Sequence, residues 1–182
     1  MKKILLSSLV VSASVFALSA QASGRINFDG EVVAQTCNVT VNGEAASLTP
    51  GTNVSLPHVT QGALGNAGDV TGETRFTIGL RNCLATPGTA AAFFEQGTTV
   101  DVSGRLKNMA AGGAGNVQLQ LLDVDGSNAV INVGDASQRT SNFHGSITGG
   151  AADLPYGVRY YATGASTAGL VTSSVTYTID YQ

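Results

Sequence analysis

Apolar and polar residues alternate one by one along Gly24–Val33, which predicts an extended strand with one face buried in a protein core. The apolar or small residues all fall at even positions: Gly24, Ile26, Phe28, Gly30 and Val32. The polar or charged residues fall at the odd positions between them. No turn residues precede the segment to fold it back as a hairpin, so the pattern leaves open whose core receives its apolar face.

The apolar face changes parity near Val32–Val33. Beyond this point the apolar residues stand at odd positions, as in Cys37, Val39 and Val41. Because a shift of one residue sends side chains to the opposite face of a strand, the change predicts a boundary between two roles. Residues 24–32 would face one core and residues 33–41 another. A β-bulge inside a single strand is the alternative explanation.

Residues 1–22 are typical of a secretory signal peptide. Lys2 and Lys3 precede an apolar run that ends in Ala20-Gln21-Ala22, which has the A-x-A form of a cleavage site. An uncleaved membrane anchor is the less favoured alternative, because no stop-transfer charge follows the run. Cleavage after Ala22 would leave Ser23–Gln182, which is 160 of the 182 residues and suits one domain.

The charge of the chain argues against two classes of partner. Without Lys2 and Lys3, seven basic residues remain against twelve acidic ones, a net charge of about −5. A basic surface for nucleic acid is therefore absent, and attraction to anionic lipid is not expected. The sequence has no tryptophan and few aromatic residues but many Gly, Thr, Ser, Ala and Val, which favours strands and turns over helices.

Cys37 and Cys83 are the only cysteines of the sequence. In an exported chain one disulfide between them is the default expectation. It would close a loop of about 46 residues, worth roughly 3–4 kcal/mol in the chain-entropy model. A metal pair or a reactive thiol is less favoured, because His58 and His144 lie in turn-like contexts without ligand spacing to the cysteines.

Several segments alternate with period two and are separated by turn signals such as Asn42-Gly43 and Asp125-Gly126. The predicted strands are 33–41, 74–83, 90–94, 99–106, 116–123, 129–133, 154–162 and 170–182, and residues 47–56 are predicted to be weakly extended up to Pro57. The stretches predicted to be loops or irregular are 61–72, 109–115, 134–150 and 163–169. Since no amphipathic helix stands out, the chain is predicted to be all-β, an antiparallel β-sandwich.

No pattern of an enzyme active site is present, so we expect no catalytic residue, metal, cofactor or small-molecule substrate. Asp123-Val124-Asp125-Gly126 resembles the start of a calcium loop but lacks the glutamate at the twelfth position, which favours a hairpin turn. Gly112-Gly113-Ala114-Gly115 lacks the strand and helix that flank a phosphate-binding loop, which favours an ordinary loop.

Five motifs together give the mature chain its resemblance to a known family. They are Phe28-Asp-Gly-Glu-Val-Val-Ala-Gln-Thr-Cys37, Phe76-Thr-Ile-Gly-Leu-Arg-Asn-Cys83, Val117-Gln-Leu-Gln-Leu-Leu-Asp123, Tyr156-Gly-Val-Arg-Tyr-Tyr-Ala-Thr163 and Val175-Thr-Tyr-Thr-Ile-Asp-Tyr-Gln182. In this order the chain resembles the major subunits (pilins) of type 1-like fimbriae, which the chaperone–usher pathway assembles.

The resemblance implies an incomplete immunoglobulin-like sandwich that lacks its last strand. Residues 34–182 would form the sandwich, and residues 23–33 would be an N-terminal extension that completes a neighbouring subunit by donor-strand exchange. The donor positions would be Gly24, Ile26, Phe28, Gly30 and Val32. Gly30 would lie over a shallow pocket. Gly24 departs from the family, which often has an apolar side chain there.

The resemblance also assigns roles to residues of the sandwich. Cys37 and Cys83 match the family's disulfide. The final strand would form the acceptor groove and the contact with a periplasmic chaperone, through Val175, Tyr177, Ile179 and Tyr181. The implied partners are identical or related pilin subunits, the chaperone and an outer-membrane usher. The chain would pass through the periplasm to a surface fimbrium and contribute to cell adhesion.

Two alternatives remain at the level of sequence. One is a minor or adaptor pilin with the same fold and few copies per fibre. The other is a self-contained secreted β-sandwich that binds carbohydrate, which the scarcity of aromatic residues disfavours.

Overall fold

The computed structural model describes residues 37–83, 88–125 and 127–182. The expected signal peptide and the alternating segment Gly24–Val33 lie outside the described residues. The parity change and the five donor positions therefore stay predictions.

Strands are the main regular elements of the described chain, as the period-two patterns predict. The strands are β1 (Asn38–Val41), β2 (Glu44–Ala45), β3 (Val70–Arg81), β4 (Thr89–Phe94), β5 (Leu106–Lys107), β6 (Val117–Asp123), β7 (Ala129–Ile131), β8 (Gly145–Ser146), β9 (Ala152–Ala162) and β10 (Tyr177–Tyr181). A 3-10 turn at Gln61–Leu64 and a single-turn helix, α1 (Gln138–Ser141), complete the elements. None of the described helices is long and apolar enough to cross a membrane.

The strands form two antiparallel sheets in the described residues. The larger sheet has the order β2-β1-β3-β9-β6-β5, with β7 also paired to β6. The smaller sheet has the order β10-β4-β8. β3 and β9 are the long central pair, joined from Val70↔Tyr161 to Leu80↔Ala152 with one irregularity between Thr71 and Thr74. The prediction of an antiparallel β-sandwich is confirmed.

The buried core lies between the sheets and takes one face of each long strand. From β3 it takes Ile78 and Leu80, and from β9 it takes Leu154 and Tyr156. β6 contributes Leu119 and Leu121 in the same way. Full burial of such side chains contributes about 1.5–3 kcal/mol each, which fixes the register of the central strands.

The disulfide between Cys37 and Cys83 is present, as predicted. It joins the residue before β1 to the residues that follow β3, beside the pairing of Asn38 with Arg81. The odd-numbered face of residues 37–41 is also as predicted, because Cys37 and Val41 are buried and Val39 is half-buried.

Three predicted segments differ from the structure. The predicted strand 99–106 instead forms a hairpin turn over Asp101–Arg105. The Asp101 carboxylate accepts the backbone N–H of Arg105, and backbone hydrogen bonds also close the turn, which leaves Val102 fully exposed. Residues 134–150 contain α1 and β8, which the polar sequence concealed. Of the predicted strand 170–182, only Tyr177–Tyr181 pairs as a regular strand.

Candidate functional site

β10 lies at the edge of the smaller sheet and pairs with β4 on one side. The backbone groups of its even-numbered residues point toward β4. Just beyond the two ends of β10, Gln182 and Thr89 exchange two backbone hydrogen bonds, and Glu95 N–H donates to the Thr176 carbonyl. Antiparallel strands alternate the direction of their backbone groups. The backbone groups of Tyr177, Ile179 and Tyr181 therefore face an edge that no described strand covers.

The side chains on the inner face of this strand reach the core without being enclosed by it. Val175, Tyr177, Ile179 and Tyr181 all pack against the main core cluster, yet each stays partly exposed. On β4 beside them, Ala90, Ala92 and Phe94 are at most 2% exposed. This contrast marks a groove along β10 where the core is incompletely covered.

The groove continues into the extended residues that precede β10. Val171 packs on the same core, and residues 171–182 alternate between half-buried odd positions and mostly exposed even ones. Two even-numbered residues of this stretch accept hydrogen bonds through their backbone carbonyls. The Thr172 carbonyl accepts from Met109 N–H, and the Ser174 carbonyl accepts from Thr99 Oγ1. The extended stretch is thus about eleven residues long, or roughly 36 Å.

A second extended segment packs on the same core without belonging to a sheet. Val54 and Leu56 are half-buried against the main cluster and alternate with exposed neighbours. Within the described chain no backbone–backbone hydrogen bond involves residues 53–59. The core is therefore bordered by two extended segments, this one and β10, that carry inward apolar side chains and a backbone edge without a partner strand in the described part of the chain.

Two hydroxyl groups on the extended stretch that forms the groove find no hydrogen-bond partner among the described residues. Ser173 Oγ and Tyr177 Oη are both buried and unbonded within the described residues. Burial raises the pKa of the Tyr177 hydroxyl. Because a buried hydroxyl without a partner is costly, both groups lower the stability of the sandwich as described.

The opposite edge of β4 is closed by side chains instead of by a full-length strand. Beyond its short pairing with β8, Ala92 N–H donates to Tyr156 Oη at 2.9 Å. Phe94 is bonded in both directions by the buried amide of Gln138, which accepts from Phe94 N–H and donates to its carbonyl, each at 3.0 Å. Gln138 thus bonds the Phe94 backbone as a residue of a neighbouring strand would, which protects this edge of β4 from pairing with another strand.

Replacing Tyr156 with Phe is expected to lower the free energy of unfolding by about 1–3 kcal/mol, because Ala92 N–H would be left buried without a partner. Burial raises the pKa of Tyr156 to about 12, above its usual value near 10. The unfolded chain therefore loses this proton first, and the stability due to Tyr156 falls as pH rises from about 10 to about 12. Thermal melts at neutral and alkaline pH measure both effects.

The control for this substitution is Tyr161→Phe, since the Tyr161 ring contacts the Arg105 guanidinium at 4.3 Å and its hydroxyl bonds no described group. We expect a change within about 0.5 kcal/mol for the control. Equal stabilities of Tyr156→Phe and the unchanged chain at neutral pH would contradict the assigned role of the Tyr156 hydroxyl.

α1 also fixes the outer face of the β10–β4 pair. The guanidinium of Arg139 lies 4.4 Å from the ring centre of Phe93 and pairs with the Asp180 carboxylate. Gln182 Nε2 donates to the Arg139 carbonyl at 3.4 Å. These contacts stabilise the end of β10 from the face opposite the groove.

Comparison with known families gives a match over most of the described sandwich. The family model for FimA, the type-1 fimbrial protein A, matches residues 56–182. The chain belongs to this family. Its resemblance to type 1-like fimbrial subunits, predicted from sequence motifs, is confirmed.

Relatives of this fimbrial subunit match along almost the whole chain. It is 42% identical over 178 residues to the F17 fimbrial protein of Escherichia coli, covering 95% of both chains. It is 43% identical over 179 residues to the major fimbrial subunit SMF-1 of Stenotrophomonas maltophilia, covering 94% of this chain and 99% of the relative. The chain is therefore a structural subunit of a surface fimbria.

Solved structures agree on the immunoglobulin-like fold. The type I fimbria protein BPSL1626 of Burkholderia pseudomallei superposes with a TM-score of 0.55 and 27% identity, covering 80% of this chain and 94% of the other. The P pilus rod subunit PapA superposes with a TM-score of 0.57 and covers 80% of this chain and 99% of the other; at 17% identity it shows the fold alone.

The structure brings together the predicted groove residues Val175, Tyr177, Ile179 and Tyr181 on one face of the final segment. The sequence predicted a weakly extended segment over 47–56 that ends at Pro57, but not that Val54 and Leu56 pack on the core as a second border of the groove. Sequence reasoning also missed Gln138, because a glutamine in a polar stretch gives no signal that its amide will be buried.

Proposed function

We propose that this fimbrial subunit polymerises head to tail by donor-strand exchange. Residues 24–32 of one copy would lie along β10 of the next and complete its sandwich. Ile26, Phe28 and Val32 would then bury their side chains in the neighbour's groove, each contributing about 1.5–3 kcal/mol. Gly24 and Gly30 would occupy the shallower positions.

The observation that carries the proposal is the incomplete cover over β10. A sheet edge with free backbone groups and half-buried apolar side chains favours pairing with another strand. The donor segment has matching dimensions, because nine extended residues span roughly 30 Å and the groove roughly 36 Å. Both segments place apolar side chains at a spacing of two residues.

This contact would use different surfaces on the two partners. A contact between the donor segment of one copy and the groove of the next is heterologous and does not close on itself, so it extends into a filament. The chain would therefore serve as a structural subunit and contribute to cell adhesion through the fibre, without enzymatic activity.

An unpaired apolar groove also needs protection before assembly. We propose that a periplasmic chaperone covers the face of Val175, Tyr177, Ile179 and Tyr181 until an outer-membrane usher delivers the subunit to the fibre. A groove of this kind left open would favour aggregation during export. We further propose that the chain is the repeating major subunit, and counting copies per fibre tests this.

Replacing Gly30 with Leu is expected to reduce the number of fibres by about fivefold or more, because overpacking costs about 1–3 kcal/mol at every junction. Electron microscopy of cells expressing the variant measures the effect. The matched control is Asn27→Leu, which adds the same side chain on the opposite face of the donor segment. Normal fibres from Gly30→Leu would exclude a shallow pocket at this position.

Replacing Tyr181 with Ala is expected to lower the periplasmic amount of the subunit severalfold, since a half-buried ring at the end of the groove would no longer support chaperone binding. Immunoblots of periplasmic extracts measure the amount. Thr178→Ala serves as the control because Thr178 lies on the outer face of β10 and bonds Glu95. An unchanged amount of Tyr181→Ala would remove this residue from the chaperone contact.

A further inference from the structure

Two loops beside the start of the groove are joined into one rigid surface, which we call the apex: residues 108–116 and 165–172. Met109 N–H donates to Thr172 and Ala114 N–H donates to Leu170, at 2.7 and 2.9 Å. The Asn108 amide bonds four further backbone groups of these loops, at 2.9–3.1 Å. Four of these six hydrogen bonds join one loop to the other.

Two glycines allow the loops to approach so closely. A Cβ atom on Gly113 would lie 2.4 Å from the carbonyl oxygen of Leu170, and one on Gly169 would lie 2.4 Å from the nitrogen of Ala114. Backbone atoms cannot move aside as flexible side chains can, so any larger residue would separate the loops. The apex is therefore held in one shape before it meets a partner, which lowers the entropy cost of binding.

The apex exposes large apolar side chains and carries no charge. Leu170 is 76% exposed and Met109 is 54% exposed. Residues 108–116 and 163–176 contain no Asp, Glu, Lys or Arg, whereas the whole sequence has a net charge of −3. Two copies of an acidic chain can meet at such a surface without repulsion between like charges.

The direction of strand pairing indicates which part of a second copy would reach the apex. Every strand pair in the described residues is antiparallel. A donor strand that continues this pattern would run antiparallel to β10, with its C-terminal end, near residue 32, toward the Val171 end of the groove. The described body of the donating copy begins at Cys37, five residues after residue 32. Cys37 would therefore lie within about 18 Å of residue 32. Leu170 directly precedes Val171 in the chain.

We propose that the apex is a second contact surface between successive subunits, on which the body of the donating copy packs once its N-terminal segment fills the groove. The inference rests on the proposed strand exchange and adds a body-to-body contact to it. Its occupant is a second copy of this chain, and Leu170 and Met109 are its apolar contacts. The contact would restrict bending between neighbouring subunits.

The first test places a photoreactive phenylalanine analogue at position 170 of the full chain and irradiates isolated fibres. Subunit-to-subunit crosslinks are expected at least about tenfold above those from the same analogue at position 102, where a fully exposed valine lies away from the apex. Mass spectrometry should locate the crosslink in another copy of this chain. Fibres with no excess of crosslinks at position 170, or crosslinks to a different protein, would overturn the proposal.

The second test compares Leu170→Glu and Met109→Glu with Val102→Glu as the control. The two apex variants are expected to reach the periplasm in normal amounts but to give fibres at least about fivefold shorter, whereas the control gives normal fibres. Fibres of normal length from both apex variants would overturn the apex contact while leaving strand exchange intact. Absence of fibres from the unchanged chain would instead overturn strand exchange and the apex contact together.

Discussion

A mature chain lacking residues 23–32 is expected to form no fibres, and a synthetic peptide of Ser23–Ala34 is expected to raise its melting temperature by about 5–11 °C. The peptide would bind the folded chain and not the unfolded one, which at a concentration of 100 times its dissociation constant adds about 2.7 kcal/mol. For a chain of this size each kcal/mol shifts the melting temperature by about 2–4 °C. Differential scanning fluorimetry with increasing peptide measures the shift.

The groove residues explain why the effect should be large. Val175, Tyr177, Ile179 and Tyr181 are partly exposed in the described structure although they face the core. A complementary strand would cover all four at once and also supply backbone partners along β10.

A peptide with Asp in place of Ile26 and Phe28 is the matched control, since it keeps length and backbone but cannot fill the groove. It should shift the melting temperature by less than about 1 °C. If the unmodified peptide gives no larger shift than the control, and the shortened chain is already stable, residues 23–32 do not complete the fold and strand exchange loses its main support.

Replacing both cysteines with Ala is expected to lower the free energy of unfolding by about 3–4 kcal/mol, which corresponds to about 6–16 °C in melting temperature. The disulfide joins Cys37 to Cys83 across a separation of 46 residues, so it restricts a long loop of the unfolded chain. It also holds the start of β1 against the end of β3, directly after the N-terminal segment. Thermal melts of the folded variant measure the loss.

The unchanged chain treated with a thiol reductant is the control for the double substitution. Reduction should lower its melting temperature by a similar amount, and the Cys37→Ala, Cys83→Ala variant should not respond to reductant. A double variant as stable as the oxidised chain would show that the disulfide contributes little beyond the packing of β1 on β3.

The sequence predicted those features that depend on local patterns. Period-two alternation located β3, β4, β6 and β9 because a strand buried on one face has to alternate. The disulfide expected of an exported chain with two cysteines is present, and the odd-numbered side chains of Val175–Tyr181 pack on the core, as their alternation predicted.

Other predictions failed where a short-range pattern competed with a turn. Residues 99–106 alternate like a strand, but the Asp101 carboxylate accepts the backbone N–H groups of Ser103 and Arg105 and bends the chain into a hairpin. Val102 consequently points into solvent. Side-chain to backbone bonds of this kind override alternation, because they satisfy the backbone without a partner strand.

By itself, the sequence indicated the long strands, their apolar faces and the pairing of the two cysteines, because these properties follow from periodicity and composition. Only the tertiary structure decided how well each apolar face is covered. The inner faces of β6 and β10 look alike in sequence, yet Leu119 and Leu121 are at most 5% exposed while Tyr177 and Ile179 stay half-buried. Burial depends on which strands lie alongside, and that is a property of the assembled sheets and not of any one segment.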